Sequence, residues 1–200
     1  MFLRKKEMNR RGEKAVPSRD ECLGLMDQYG MLRNIVDHSL TVTKVARFLS
    51  KALNKKGQRI DLGVVEAAAL LHDLAKTECL KTKEDHAEQG FRLLKGLGYE
   101  RVADVVAQHI EVSCGRDAAF VTEEEVVNYA DKRVQHDRIV SLKQRFSDLK
   151  DRYGHVESAF EQMARMEKAT YAIESKIFRI LGSDPEDLQR LQNEKVEGID

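Results

Sequence analysis

The chain has 200 residues, 42% of them hydrophobic and 34% charged, which is the composition of a folded domain and excludes an intrinsically disordered segment. Its 34 basic side chains are balanced by 34 acidic ones, so the global cationic field of a general nucleic-acid or anionic-membrane binder is absent. No apolar run reaches the length of a membrane span, and two prolines, no tryptophan and long stretches rich in Ala, Leu, Glu and Lys speak against an all-β domain or a collagen-like fibre.

Residues 1–17 open with MFLRKKEMNRRGEK, whose six basic groups predict a solvated arm. The apolar part, Met1 to Leu3, is too short for a signal-peptide core. Ser18 is placed to cap a helix that runs toward Tyr29 and stops at Gly30. The next helix spans 31–56, with apolar residues at Leu32, Ile35, Val42, Val45, Leu49 and Leu53, and Gly57 ends it. Asp61 caps a third helix, LGVVEAAALLHDLAK over 62–76, apolar nearly all round as a central helix would be. Asp85 caps a fourth over 86–96, and a short one follows over 99–109. After the irregular string SCGRDAAF, Thr122 and Glu125 form a capping box for the helix that carries Asp131. The charged remainder from Ser141 breaks at Gly154, and an amphipathic helix then runs over about 156–181. Asp184 and Pro185 cap and start a last short helix. Nothing alternates with period two for long enough to form a sheet, so the predicted fold is all-α, with a helical core over 18–140 and a charged extension over 141–200 packed on it. Cys22, Cys79 and Cys114 lie far apart without a C-x-x-C pair, which predicts reduced thiols and a cytoplasmic location.

Placed on those helices, the titratable residues converge. His38 falls in the stripe of Ile35, Val42, Val45 and Leu49, His109 lies with Val102, Val105 and Val106, and His86 with Gly90, Leu93 and Leu97. His72 and Asp73 are adjacent in the most apolar helix, and Asp131 borders the stripe of Val127, Ala130 and Val134. A single inward histidine is ordinarily a satisfied core residue. Six inward groups are costly to bury unless each finds a partner, and no comparable set of inward lysines or arginines is apparent. A divalent cation would satisfy all of them together.

The order His38, then His72–Asp73, then a distant Asp131 resembles the HD-domain superfamily of metal-dependent phosphohydrolases, and the strings DHSLTVTKVA, LLHDLAK and NYADKRV resemble its motifs over about residues 30–140. The resemblance implies an HD-domain helical bundle in which His38, His72, Asp73 and Asp131 bind one metal. His86 and His109 stand where dinuclear members carry the ligands of a second ion, with Asp73 bridging. Ile110 is a departure, since many dinuclear relatives have a second consecutive histidine there. Imidazole and carboxylate ligands suit Mn, Fe, Co, Ni, Zn or Mg, as one ion or two. Such an ion lowers the pKa of bound water toward neutrality and provides a metal-bound hydroxide for attack on phosphorus. Lys76, four residues after His72 and three after Asp73 in the predicted helix, is expected on the same side and matches a lysine of the family pattern. The resemblance therefore implies catalytic roles for Asp73 and Lys76, the latter on a phosphate or water. An exposed lysine near a helix C-terminus is the plainer reading of Lys76.

Other features carry less. His136 and His155 read as surface histidines, and Arg133 and Arg138 as surface ion pairs, with phosphate contact second. The apolar face of 156–181 is expected to pack on the bundle, a homodimer face being the second reading. The string after His109 lacks a G-Y-P segment, and HDLAK is neither the H-D-x-x-E-D string of guanosine tetraphosphate hydrolases nor the longer pattern of deoxynucleotide triphosphohydrolases. The single-domain enzymes that cleave diadenosine polyphosphates are closer in size and layout. The expected activity is hydrolysis of a phosphoester or phosphoanhydride in a nucleotide-like small molecule. A catalytically weak module that senses a nucleotide is the alternative, and a nuclease is disfavoured by the zero net charge.

Overall fold

In the computed structural model, which describes residues 15–112, 119–153 and 157–193, local capping sets most helix starts. Ser18 begins α1 (Arg19–Gln28) with a full capping box: its hydroxyl accepts from the Glu21 N–H, and the Glu21 carboxylate accepts from the Ser18 N–H at 2.9 Å. Helix α2 (Arg33–Lys55) buries Ile35, His38, Val42, Val45, Leu49 and Leu53 along one stripe, as its periodicity predicts. The Asp61 carboxylate accepts from the N–H groups of Gly63 and Val64 to start α3 (Leu62–Leu71), and that of Asp85 accepts from Ala87 and Glu88 to start α5 (His86–Gly96). Helix α6 (Glu100–Ala107) follows, and the Thr122–Glu125 capping box opens α7 (Glu123–Lys132).

Helix α3 is the centre of the fold. Seven of its residues are buried, and it packs against α1, α2, α6 and α7. The expected continuous helix over 62–76 is interrupted there: α3 ends at Leu71, residues 72–75 form a turn, and α4 (Lys76–Thr82) starts anew. Backbone bonding switches to the tighter pattern, Leu74 N–H to Leu71 O and Lys76 N–H to Asp73 O, while the His72 ring takes the carbonyl of Ala69 at 2.9 Å. The His-Asp pair therefore sits in a turn at the end of a buried helix.

The fold is all-α as expected, with one small hairpin in the C-terminal half, β1 (Val134–Gln135) against β2 (Arg138–Ile139), turned through His136 at φ 56°. One further expectation is corrected there. Arg133 is neither a surface ion pair nor near solvent: it is fully buried, donating to Val140 O at 2.7 Å, to the Tyr129 hydroxyl at 2.7 Å and to Glu174 at 3.2 Å. It thereby ties α7, the hairpin and α9 (Glu157–Leu181) together. Arg138 is exposed on β2.

Helix α8 (Leu142–Tyr153) precedes α9, and the last element, Pro185–Asn193, is a 3₁₀ helix whose Leu188 and Leu191 join the core. Ile173, Ile177, Phe178 and Leu181 of α9 face the same core, so this helix packs on the bundle, leaving Phe160 and Tyr171 exposed. Cys22 and Cys79 are free and buried, and burial followed by the charge of Glu84 pushes the Cys79 thiol up, away from thiolate. Cys114 and His155 lie outside the described residues. Among the described residues no helix is long and apolar enough to cross a membrane.

Candidate metal centre

Three histidines reach the centre of the bundle with their ring orientation fixed by the backbone. Nδ1 of His72 meets Ala69 O at 2.9 Å, that of His109 meets Val106 O at 2.7 Å, and that of His38 meets His136 O at 2.8 Å. A carbonyl can only accept, so each Nδ1 carries a proton and each Nε2 is the nitrogen turned inward. Two of the three rings stand at helix C-termini and bond three residues back, which holds them without any other side chain. The third explains the hairpin. The exposed His136 contributes its backbone carbonyl rather than its ring, and the positive φ of that residue aims it.

The inward atoms form two adjoining sets. On one side His38 Nε2 is 2.9 Å from Asp131 Oδ1, and His72 Nε2 lies 3.6 Å from that oxygen and 3.5 Å from Asp73 Oδ2. On the other, Asp73 Oδ1 is 3.3 Å from His86 Nε2 and 3.7 Å from His109 Nε2, with the two imidazole nitrogens 3.2 Å apart. Ligand atoms of His38, His72 and Asp73 lie within 4.8 Å of one another, as do those of Asp73, His86 and His109. Asp73 thus turns one oxygen toward each set. Gly90 of α5 permits this closeness, since a Cβ there would meet Val106 of α6 at 3.2 Å, and those two helices carry His86 and His109 side by side.

Whether these residues fit a cation can be judged from what they leave undone. His72 Nε2 and Asp73 Oδ1 are buried and have no hydrogen-bond partner. Buried orphan atoms on two charged or chargeable groups are costly, and contacts of 3.3–3.7 Å are too long for good hydrogen bonds. Ligands about 2.1 Å from a shared ion lie about 3 Å or more from each other, which these separations approach. The electrostatics agree. Burial would lower the pKa of His72, but Asp73 and Asp131 outweigh it and raise it to about 10. Burial and then the charge of His72 push His109 down to about 3. Burial would raise both carboxyls, yet Asp73 is held well below its ordinary range chiefly by His72 and Lys76, and Asp131 chiefly by Lys132 and His38. The centre therefore holds two carboxylates around one position that demands positive charge, and a divalent cation fits it.

The structure brings together all six sequence-predicted ligands, His38, His72, Asp73, His86, His109 and Asp131. It also places Lys76 Nζ 2.7 Å from Asp73 Oδ2, reached from the first residue of α4 rather than from a shared helix face. One expectation fails. Inward cations do exist, because Lys132 is buried and donates to Asp131 Oδ2 at 2.7 Å and to His109 O at 3.0 Å. The residues of α7 from Glu125 to Lys132 are buried on every face, with α9 covering the face that a sequence pattern assigns to solvent. Position next to Asp131 is the only signal the sequence carries for Lys132.

Beside the centre opens a cleft of about 400 Å³, with Asp73, Lys76, His86, His109, Asp131 and Lys132 on one side. Residues of α8 and α9 also line the cleft, as does Ile110, at the position where many dinuclear relatives have a further histidine. A smaller cleft of about 190 Å³, lined by Asn34, Ile35, His38 and His136, meets it at Asp73 and Lys76.

Comparison with known proteins places this geometry. The chain is 28% identical over 191 residues to a tRNA (cytidine(56)-2'-O)-methyltransferase of Picrophilus torridus, covering 88% of this chain and 51% of that protein. It is 27% identical over 168 residues to the Thermoplasma volcanium protein of the same name, covering 78% and 47%. An uncharacterized protein of Methanocaldococcus jannaschii is 28% identical over 126 residues, 54% of this chain and 73% of that one. The chain spans about half the length of the two methyltransferases it matches. No solved structure matches it. The HD domain family matches residues 35–196, a range that takes in every inward histidine and aspartate together with α8 and α9. On that match the chain belongs to the HD domain family.

Proposed function

We propose that the protein is a metal-dependent phosphohydrolase acting on a phosphoester or phosphoanhydride of a nucleotide-like small molecule. The observation that carries this reading is the pair of orphaned buried atoms, His72 Nε2 and Asp73 Oδ1, each at the heart of one ligand set. His38, His72, Asp73 and Asp131 would hold a first divalent cation, and Asp73, His86 and His109 a second. Bound there, a cation supplies Lewis acidity, acidifying water and polarising a phosphoryl oxygen.

The chain's own groups do the rest. The Nδ1–H groups of His38, His72 and His109 donate to backbone carbonyls and keep the rings from turning. Asp73, held well below the carboxylate range, does not keep a proton and is not a general acid; one of its oxygens would serve each ligand set. Lys76 remains an ammonium, because Asp73 outweighs the lowering effect of burial and raises its pKa, so it acts as a fixed positive charge beside the phosphoryl group. The cleft of about 400 Å³ lies within the size range of small-molecule sites. Residues 18–140 form the core of this reading and 141–200 the extension that walls the cleft, in a cytoplasmic protein.

The alternative, a weakly catalytic HD module that senses a nucleotide, is favoured by one observation: the matched region is about half of two proteins that carry a tRNA methyltransferase name. Metal analysis of the purified protein, paired with phosphate release from nucleotides and dinucleoside polyphosphates in the presence of Mn, Fe, Co, Ni, Zn or Mg, separates the two. Metal with turnover that falls in Lys76→Ala while metal content holds supports the hydrolase. Metal with ligand binding and no turnover supports the sensor, and absence of metal overturns both.

A further inference from the structure

Two arginines in the wall of the cleft are unexplained by the metal centre. Arg145 and Arg152 are seven residues apart on α8, two turns along one face, and Asp148 lies between them. The Arg152 guanidinium pairs with both oxygens of Asp148, its Nε at 2.9 Å from Oδ1, while Arg145 Nη1 is 3.6 Å from Oδ2. One carboxylate thus braces two guanidinium groups and leaves a surplus positive charge. The Arg145 side chain is only 14% exposed, and its Nε is buried without a hydrogen-bond partner. A buried, unfilled donor on a permanent cation is expensive unless an anion occupies the space beside it.

The place of these arginines is specific. Together with Asp73 and Lys76 they line both the 400 Å³ and the 190 Å³ clefts, so they stand over the junction of the two, next to the metal centre. Lys76 spends one of its three donors on Asp73 and offers the others to the cleft. Elsewhere in the cleft the cations are already matched, Lys76 by Asp73 and Lys132 by Asp131. The arginine pair is the excess, and a divalent cation would add to it. Farther along, Met163 and Met166 of α9 offer an apolar surface for the organic part of a ligand.

We propose that Arg145 and Arg152, braced by Asp148, form with Lys76 a clamp for a dianionic phosphate group, so that the protein selects a terminal phosphomonoester over an internal phosphodiester. This rests on the phosphohydrolase reading and narrows its substrate class. A diester carries a single negative charge and leaves the arginine surplus unneutralised. A terminal phosphoryl group has three non-bridging oxygens, enough to meet Arg145 Nε, Arg152 and Lys76 together.

The test is equilibrium binding of inorganic phosphate and of dimethyl phosphate at about pH 8, where inorganic phosphate is a dianion. The full chain is used both chelator-treated and Mn-loaded. The parent protein should bind inorganic phosphate more tightly than dimethyl phosphate in both forms. Arg145→Ala and Arg152→Gln should each weaken phosphate by about tenfold or more and narrow the preference, with metal content unchanged. Arg145→Lys should recover part of the loss, and Arg92→Ala, an exposed arginine on α5 paired with Glu88, should change nothing. Arg152 is 40% exposed, so its variant carries the test should Arg145→Ala fold poorly. Equal binding of the two ligands, or phosphate binding indifferent to both substitutions, overturns the clamp. A phosphate preference lost in the variants, in a protein that hydrolyses nothing, supports the clamp and overturns the hydrolase reading. Metal and turnover with variants that bind phosphate as the parent does would overturn the clamp alone.

Discussion

Metal binding should displace a proton from His72. In the metal-free protein burial acts against the imidazolium, but the carboxylates of Asp73 and Asp131 raise its pKa to about 10. The Nε2 lone pair that a cation needs is therefore occupied by a proton at neutral pH. Removing that proton at about pH 7 costs three pKa units, or about 4 kcal/mol, which the cation must supply. The sign follows directly. Raising the pH frees the lone pair, so Mn affinity should rise roughly tenfold per pH unit from about pH 6 to 9 and level off as pH passes the His72 pKa of about 10. Asp73, Asp131 and His109 should release nothing, because the two carboxyls are already ionised and His109, pushed down to about 3 by burial and the charge of His72, is already neutral. Titration calorimetry of the chelator-treated protein with Mn, repeated in buffers of different ionisation heat, counts the protons. At least one per first ion is expected, and His72→Gln should lower the release by one and remove most of the affinity. No release, or a release that His72→Gln leaves unchanged, would refute this account of the centre.

Three further outcomes follow from the same geometry. His86→Ala combined with His109→Ala should lower metal content from two ions toward one by elemental analysis, and a parent protein that already holds a single ion would remove the second site. Lys132→Met leaves Asp131 without its buried cation and should cost about 3–5 kcal/mol in urea unfolding of the metal-free protein, with much of the loss recovered on Mn loading. An equal loss in both forms would mean that Lys132 and the ion do not serve the same carboxylate. Arg133→Ala breaks the buried link between α7, the hairpin and α9 and should cost about 3–5 kcal/mol. Metal content per folded molecule should not change, and a loss of metal without a loss of stability would assign Arg133 to the site after all.

Much of the site can be read in the sequence because its parts are local. Ser18, Asp61, Asp85 and Thr122 cap helices through bonds to residues two or three positions away, so their signals survive without tertiary context. The stripe that carries His38 inward is likewise a property of one helix, and its neighbours Ile35 and Val42 announce it. Six inward groups could be found because burying each alone is unfavourable, whatever the path of the chain between them.

The remainder depends on which surfaces meet. The break after Leu71 arises where the His72 ring takes a backbone carbonyl, a competition that an apolar 3.6-residue pattern does not encode. Lys132 and Arg133 look like solvent-facing cations until α9 and the hairpin cover them, and then they become the partners of Asp131 and of Glu174. Arg145 and Arg152 have the spacing of an ordinary surface face, and only the packing of α8 across the cleft turns that face toward Asp73. What the chain determined by itself is the set of groups that could not be buried alone. Which cations would stand among them was decided by long-range packing, because the energy of a buried charge depends on the partner that reaches it and not on its neighbours in sequence.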